Sequence, residues 1–106
     1  MKLLFVCSRN IWRSRTAEEI YKNTMSLQVK SAGTEPSARK RITEQDIRWA
    51  DLIFVMEAKH KKRIKERFPN SFDNEKIIVM DIEDNYQFMD AELITELKTI
   101  VEQYIS

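Results

Sequence analysis

The sequence is poor in the residues that make disulfides, metal sites and sharp turns. It has one cysteine, one histidine, one glycine and two prolines among its 106 residues. A single cysteine excludes an internal disulfide, and one histidine with one distant cysteine makes no metal-ligand pattern. Glycine-rich nucleotide-binding loops are excluded because Gly33 is the only glycine. We therefore expect neither a metal nor a cofactor.

An excess of charge and a long apolar run are also missing. The formal net charge is +1, which gives no overall attraction to nucleic acid or to a membrane surface. No run approaches the roughly 20 apolar residues of a membrane span, and the apolar run Leu3 to Val6 is too short for a signal peptide. A lone thiol suits a reducing compartment. We expect a cytoplasmic protein that makes no membrane contact.

What the sequence does contain is an alternation of apolar runs and helical patterns. Its length fits one domain, residues 1–106, and its 42% hydrophobic and 33% charged residues are typical of a globular one. Strands are predicted at residues 2–6, 28–31, 52–56 and 76–80. Helices are predicted at residues 13–23, 42–50, 58–68 and 91–104. This order predicts an α/β fold, a three-layer sandwich around a four-stranded parallel sheet.

Chemistry-bearing residues follow three of the predicted strands. Cys7 comes directly after the first strand, Glu57 after the third, and the stretch from Asp81 to Tyr86 after the fourth. Ligands of parallel sheets collect at the carboxyl ends of the strands. We therefore expect a thiol, an arginine and carboxylates to meet at one edge of the sheet.

The loop between the first strand and the first helix joins the thiol to an arginine. A helix N-terminus and a nearby arginine both stabilise a thiolate. The intervening backbone N–H groups can turn inward as an anion cradle, and Arg13 adds a fork of donors for two phosphoryl oxygens. The residues expected to bind phosphate are Ser8, Arg9, Asn10, Ile11 and Trp12. Cys7 would attack phosphorus in line. The alternative is an inert, buried thiol.

The segment Cys7 to Ser14 resembles the Cys-x5-Arg-Ser loop of the low-molecular-weight protein tyrosine phosphatases. The segments "LLFVC", "RSRTAEEI", "SAGT", "ITEQDIRWADLIFVME" and "IEDNYQFMD" resemble that family in the same order. The likeness is greatest to its short bacterial members, described as predicted protein tyrosine phosphatases. It implies metal-independent hydrolysis of phosphotyrosine in proteins. A small phosphomonoester is equally conceivable, because the stretch between Gly33 and Ile42 that walls the pocket is compressed.

The resemblance implies a role for several residues of the loop. Cys7 would be the nucleophile that forms a phosphocysteine intermediate, and Arg13 would bind the phosphoryl oxygens. Ser14 would donate a hydrogen bond to the Cys7 thiolate. Asn10 would hold the loop in shape through a left-handed backbone conformation, which asparagine tolerates. Ser31 of "SAGT" would support Asn10.

Several positions depart from the family's usual residues. Arg9 stands in place of glycine, Trp12 in place of a second cysteine, and Arg15 in place of proline. Trp12 cannot rescue an oxidised Cys7 by forming a disulfide. A supporting histidine of the family has no counterpart at its usual place, near which Ser37 falls. These changes leave the chemistry in place and the substrate open.

A phosphatase of this type needs a general acid to protonate the leaving oxygen. By resemblance, "DNYQ" matches the family's acid loop, so Asp84 is the expected acid, with Asp81 at the end of the fourth strand as the second choice. Tyr86 matches an aromatic residue that flanks the substrate ring. A tyrosine packed on the core is an equal alternative for it.

Two other functions are conceivable on the same fold. A non-catalytic module could bind phosphoprotein or RNA ends, which Arg9 and Trp12 would favour. Arsenate reduction would need further thiols from a partner. The basic run Lys59 to Arg67 is typical of a solvated helix face. Because no aromatic residue interrupts it, nucleic acid is a disfavoured partner. The sequence does not indicate whether the protein is a monomer or an oligomer.

Overall fold

A computed structural model of the protein describes residues 1–105 as a four-stranded sheet between helices. The strands are β1 (Lys2–Cys7), β2 (Gln28–Gly33), β3 (Leu52–Val55) and β4 (Ile77–Val79). The helices are α1 (Arg13–Tyr21), α2 (Glu44–Trp49), α3 (Ala58–Arg67) and α4 (Ala91–Ile105), with a short 3₁₀ turn at Asn74–Lys76.

The sheet is parallel throughout and has the order β2-β1-β3-β4. β1 lies in the interior, where Phe5 stands opposite Ser31 on one side and Phe54 on the other. β2 runs two residues further than expected, because its pairing with β1 continues to Cys7 and Gly33. The predicted α/β fold with a four-stranded parallel sheet is confirmed.

Alternate residues of β1 enter two separate cores, because successive side chains of a strand point to opposite faces. Leu3 and Phe5 pack in the core that also holds Leu97 of α4. Leu4 and Val6 pack on the opposite face in the core that also holds residues of α2 and α3. Both faces of the sheet are therefore covered by helices, as a parallel sheet requires.

Side-chain caps begin two of the helices where the sequence predicts them. The Thr43 hydroxyl accepts a hydrogen bond from the Asp46 N–H at 3.1 Å, and the Asp46 carboxylate accepts one from the Thr43 N–H at 3.1 Å. Asp90 accepts from the Glu92 N–H at 2.9 Å at the start of α4. Each cap satisfies backbone donors that the first turn leaves free.

Helix α3 carries the basic run on its outer side. Lys59, Lys62 and Lys65 are exposed, while His60 and Ile64 of the same helix are buried. The run is thus a solvated face, apart from His60 and Ile64. Within residues 1–105 no helix is long and apolar enough to cross a membrane.

Gly33 ends β2 at a place where no side chain fits. A Cβ built on Gly33 would lie 2.5 Å from the Ala38 Cβ and 2.6 Å from the Ser8 carbonyl oxygen. The absence of a side chain lets the segment after β2 close on the loop after β1. Glycine is required here because the neighbouring segments lie so close to its Cα, and not because of an unusual backbone torsion.

We expect Gly33→Ala to destabilise the protein by on the order of 1–3 kcal/mol, because the new methyl group forces backbone apart. Urea unfolding followed by circular dichroism would measure it. Ser37→Ala in the same segment is the matched control and should change stability by less than about 0.5 kcal/mol. An unchanged unfolding midpoint for Gly33→Ala would contradict the close approach.

Candidate active site

In the loop between β1 and α1 the side chains of Arg9 and Trp12 are exposed, but the residues that point inward are buried. Cys7 is 3% exposed, Arg13 2%, and Asn10 and Ser14 are fully buried. Asn10 has a backbone φ of 57°, the left-handed conformation expected for it. The loop therefore turns inward across the carboxyl end of the sheet.

Hydrogen bonds from the segment after β2 turn the carbonyls of the loop outward. The carbonyls of Cys7, Ser8 and Arg9 accept from the N–H groups of residues 34, 35 and 39 at 2.9–3.0 Å. The N–H and C=O of one planar peptide point in opposite directions. The N–H groups that follow these carbonyls are therefore directed to the inside of the loop, where they can meet an anion.

The Cys7 sulfur contacts one of these N–H groups and one hydroxyl group. The Asn10 N–H donates to Cys7 Sγ at 3.3 Å, and Ser14 Oγ lies 3.0 Å from the sulfur. Asn10 Nδ2 donates to Ser14 Oγ at 2.8 Å, so the Ser14 hydroxyl hydrogen has two acceptors within reach, the sulfur at 3.0 Å and the Ala32 carbonyl at 3.4 Å. The contact between Ser14 and Cys7 is the one that the resemblance implies.

Ser31 does not support Asn10, and this expectation from the resemblance is wrong. Ser31 Oγ donates to Glu18 Oε1 at 2.6 Å. Ser31 stands opposite Phe5, two residues before Cys7, and so lies below the loop beside α1. Ser14 and not Ser31 is the side-chain partner of Asn10.

The Arg13 guanidinium is held from three directions. Its Nη1 donates to the Ile82 carbonyl at 2.8 Å and lies 3.6 Å from Glu57 Oε2, while its Nε lies 3.6 Å from Asp84 Oδ1. Burial alone would raise the pKa of Glu57, but the charges of Arg13 and Lys59 outweigh burial and lower it. Glu57 therefore stays ionised beside the arginine. Sequence analysis placed Glu57 at this edge but assigned it no role.

A small cavity of about 90 Å³ opens above the sulfur. Its lining residues are Cys7, Ser8, Arg9, Ile11, Trp12, Arg13 and Asp84. Asp81 instead lines a separate depression with Glu83, and its backbone φ of 57° turns the chain there. Of the two candidate acids, Asp84 is thus the one that lines the same cavity as Cys7.

Tyr86 does not line this cavity, so its expected contact with a substrate ring is not observed. Its ring packs against the core beneath α4. Partial burial and the neighbouring carboxylates of Glu96, Glu92 and Asp90 raise the pKa of Tyr86 to about 12. The aromatic residue at the cavity is Trp12, which is 43% exposed.

His60 reaches the loop from the first turn of α3, a contact that sequence analysis missed. His60 Nε2 lies 2.9 Å from Ser8 Oγ, and the ring is 1% exposed. Burial and the charge of Arg13 lower the pKa of His60 to about 4. The sequence showed one histidine within a basic run, and nothing in that pattern pointed it inward. In the part of the chain described, no three potential metal ligands cluster.

Comparisons with known proteins show what the sequence and the fold are similar to. Residues 2–45 match the sequence model of the family described as low molecular weight phosphotyrosine protein phosphatase. The family resemblance is confirmed. The matched segment includes the phosphatase loop from Cys7 to Ser14 and ends well before Asp84. No curated protein sequence matches the chain significantly.

Solved phosphatases share the fold over nearly the whole chain. The low molecular weight protein tyrosine phosphatase from Streptococcus pyogenes has a TM-score of 0.79 at 21% identity, over 99% of this chain and 93% of its own. Tyrosine phosphatase Wzb from Escherichia coli K30 scores 0.78 at 21% identity, over 97% and 94%. The YwlE arginine phosphatase from Geobacillus stearothermophilus scores 0.72 at 22% identity, over 96% and 91%.

The match over residues 2–45, which include the cysteine-centred loop, shows a likeness to the phosphotyrosine protein phosphatases. The solved structures add that the whole described chain has the fold of these enzymes.

The low pKa of His60 predicts a pH-dependent stability. Between about pH 6.5 and pH 4 the unfolded chain binds a proton at His60 while the native protein does not, so stability falls as the pH falls through this range. We expect wild type to lose on the order of 2 kcal/mol more than His60→Gln between pH 7 and pH 4. Urea unfolding at several pH values measures the difference. If the free energy of unfolding changed with pH in the same way for wild type and His60→Gln, the prediction would be contradicted.

Proposed function

We propose that this protein hydrolyses phosphomonoesters through a phosphocysteine intermediate on Cys7, with phosphotyrosine in proteins as its substrate. The observation that carries the proposal is the single cavity that unites a buried sulfur, the Arg13 guanidinium and the Asp84 carboxylate. The lone thiol makes the cytoplasm the proposed setting.

In the first step, the inward N–H groups and Arg13 bind the phosphoryl oxygens and neutralise their charge. The Cys7 thiolate attacks phosphorus as the bond to the leaving oxygen breaks. Asp84, in its protonated form, gives its proton to that oxygen. Glu57 and the Ile82 carbonyl hold Arg13 in place during this step.

In the second step, water attacks the phosphocysteine and Asp84 accepts a proton from that water. The sulfur–phosphorus bond breaks, phosphate leaves, and the thiolate of Cys7 is restored. The Ser14 hydroxyl and the Asn10 N–H stabilise the departing thiolate through their contacts with the sulfur. Both steps use only these side chains and water.

A non-catalytic anion-binding module is the second candidate. The exposed Arg9 and Trp12 at the mouth of the cavity favour it, because a cation and an aromatic ring are suited to holding a phosphorylated partner. The two candidates differ in turnover and not in phosphate binding.

We expect wild type to hydrolyse an aryl phosphate in the presence of a metal chelator. Cys7→Ala should abolish turnover, because the nucleophile is lost, and Asp84→Asn should lower kcat by about 10²-fold, because the acid is lost. Release of the aryl alcohol, followed by absorbance, measures both.

Asp81→Asn is the matched control for the acid and should retain activity within about threefold, since Asp81 lies outside the cavity. Equal losses from Asp81→Asn and Asp84→Asn would remove Asp84 from its proposed role. A wild type that binds phosphate without turnover would establish the binding module instead.

Trp12 is the proposed wall for an aromatic substrate. We expect Trp12→Ala to raise KM for an aryl phosphate by roughly fivefold while leaving the Kd of inorganic phosphate unchanged, since stacking involves only the ring. Tyr86→Phe is the control and should change neither value.

Peptides with phosphotyrosine or phosphoarginine, the residues implied by the names of the solved relatives, would then compare substrates. If wild type preferred phosphoarginine, and Trp12→Ala did not change that preference, the proposed role of Trp12 as a wall for an aromatic substrate would be contradicted.

A further inference from the structure

The two contacts of His60 determine which of its ring nitrogens carries hydrogen. The Glu57 backbone N–H points to His60 Nδ1 at 3.0 Å. An amide N–H can only donate, so Nδ1 is the acceptor and has no hydrogen. The hydrogen of the neutral ring is therefore on Nε2, which lies 2.9 Å from Ser8 Oγ.

The direction of this hydrogen bond decides what Ser8 can do. Since His60 Nε2 donates, Ser8 Oγ accepts, and the hydroxyl hydrogen of Ser8 is left free for another acceptor. Ser8 follows Cys7 directly and lines the cavity above the sulfur. Its backbone is held as well, because the Ser8 carbonyl accepts from the Glu35 N–H at 2.9 Å.

We propose that Ser8 donates its hydroxyl hydrogen to an oxygen of the bound phosphoryl group, and that His60 is the positioning residue that directs this hydrogen into the cavity. The inference rests on the proposed function, because it needs the loop to hold a phosphoryl group. It adds a side-chain donor to the backbone N–H groups and Arg13.

The surroundings of His60 keep this arrangement in one protonation state. Protonation of Nδ1 would place two N–H groups against each other at Glu57. Burial and the charge of Arg13, with smaller contributions from Lys59 and Arg63, favour the neutral ring and outweigh the Glu57 carboxylate. His60 therefore donates to Ser8 without itself adding charge to the site.

The first experiment measures the Kd of inorganic phosphate at pH 7 by calorimetry, which needs no turnover. We expect Ser8→Ala to weaken binding by about tenfold, because a hydrogen bond to a charged oxygen is lost. Ser8→Thr keeps a hydroxyl group and should bind within about threefold of wild type. A Kd within twofold of wild type for Ser8→Ala would overturn the proposal.

The second experiment separates positioning from folding with two amides at His60. Asparagine can place an acceptor near the Nδ1 position for the Glu57 N–H but is too short for Ser8. Glutamine can place its amide nitrogen near the Nε2 position and donate to Ser8. We expect His60→Asn to weaken phosphate about as much as Ser8→Ala, and His60→Gln to bind within about threefold of wild type. Similar weakening by both amides would mean that the ring only supports the fold.

The double variant Ser8→Ala with His60→Asn tests whether the two residues act as one unit. The weakening should be no greater than that of Ser8→Ala alone, because residues that act through one interaction are not additive. If the fold-change in Kd of the double variant equalled the product of the two single fold-changes, the proposal would be overturned. Thermal unfolding of each variant identifies any that fail to fold, and the comparison of Ser8→Ala with Ser8→Thr then decides alone.

Measurements of phosphate binding and of aryl phosphate turnover test the two proposals separately. If the variants follow the expected phosphate pattern while wild type has no turnover, the phosphatase proposal falls and the Ser8 assignment stands. If wild type turns over and Ser8→Ala equals it in both Kd and kcat/KM, the Ser8 assignment falls alone. A wild type that binds no phosphate overturns both.

Discussion

The outward turn of the peptide groups after Cys7 is the constraint on which the rest of the site depends. Three carbonyls are fastened to the segment after β2, and the absence of a side chain at Gly33 allows that segment to come close enough. Once the carbonyls point outward, the N–H groups point inward and the sulfur of Cys7 lies among donors. Asn10 completes the turn because it accepts a left-handed backbone.

A second requirement is that the buried positive charge of Arg13 keeps groups that bind it. Arg13 is almost fully buried, and an isolated buried charge would cost several kcal/mol. Glu57, Asp84 and the Ile82 carbonyl come from the ends of two other strands and offset that cost. The same partners leave the guanidinium at the cavity, so the contacts that stabilise the arginine also orient it for an anion.

Regular features were predictable because their physical causes are local. The strands of Leu3 and Ile53 are apolar runs, and the start of α2 follows from the spacing of Thr43 and Asp46. The loop was predictable from the fixed spacing of Cys7, Arg13 and Ser14, and residues 2–45 match the phosphatase family. The sequence left two places open for Tyr86, because a sequence match between loops does not say which side of the loop meets the core.

The sequence by itself therefore determined the parallel α/β fold, the phosphatase loop and the position of an acidic residue near it. Only the tertiary structure decided the partners: Glu18 for Ser31, Glu57 for Arg13, and Ser8 for His60. His60 and Ser8 are 52 residues apart, and nothing in local periodicity relates them. The pair of His60 and Ser8 is set by how the carboxyl ends of β1 and β3 meet, since that junction brings the start of α3 to the loop.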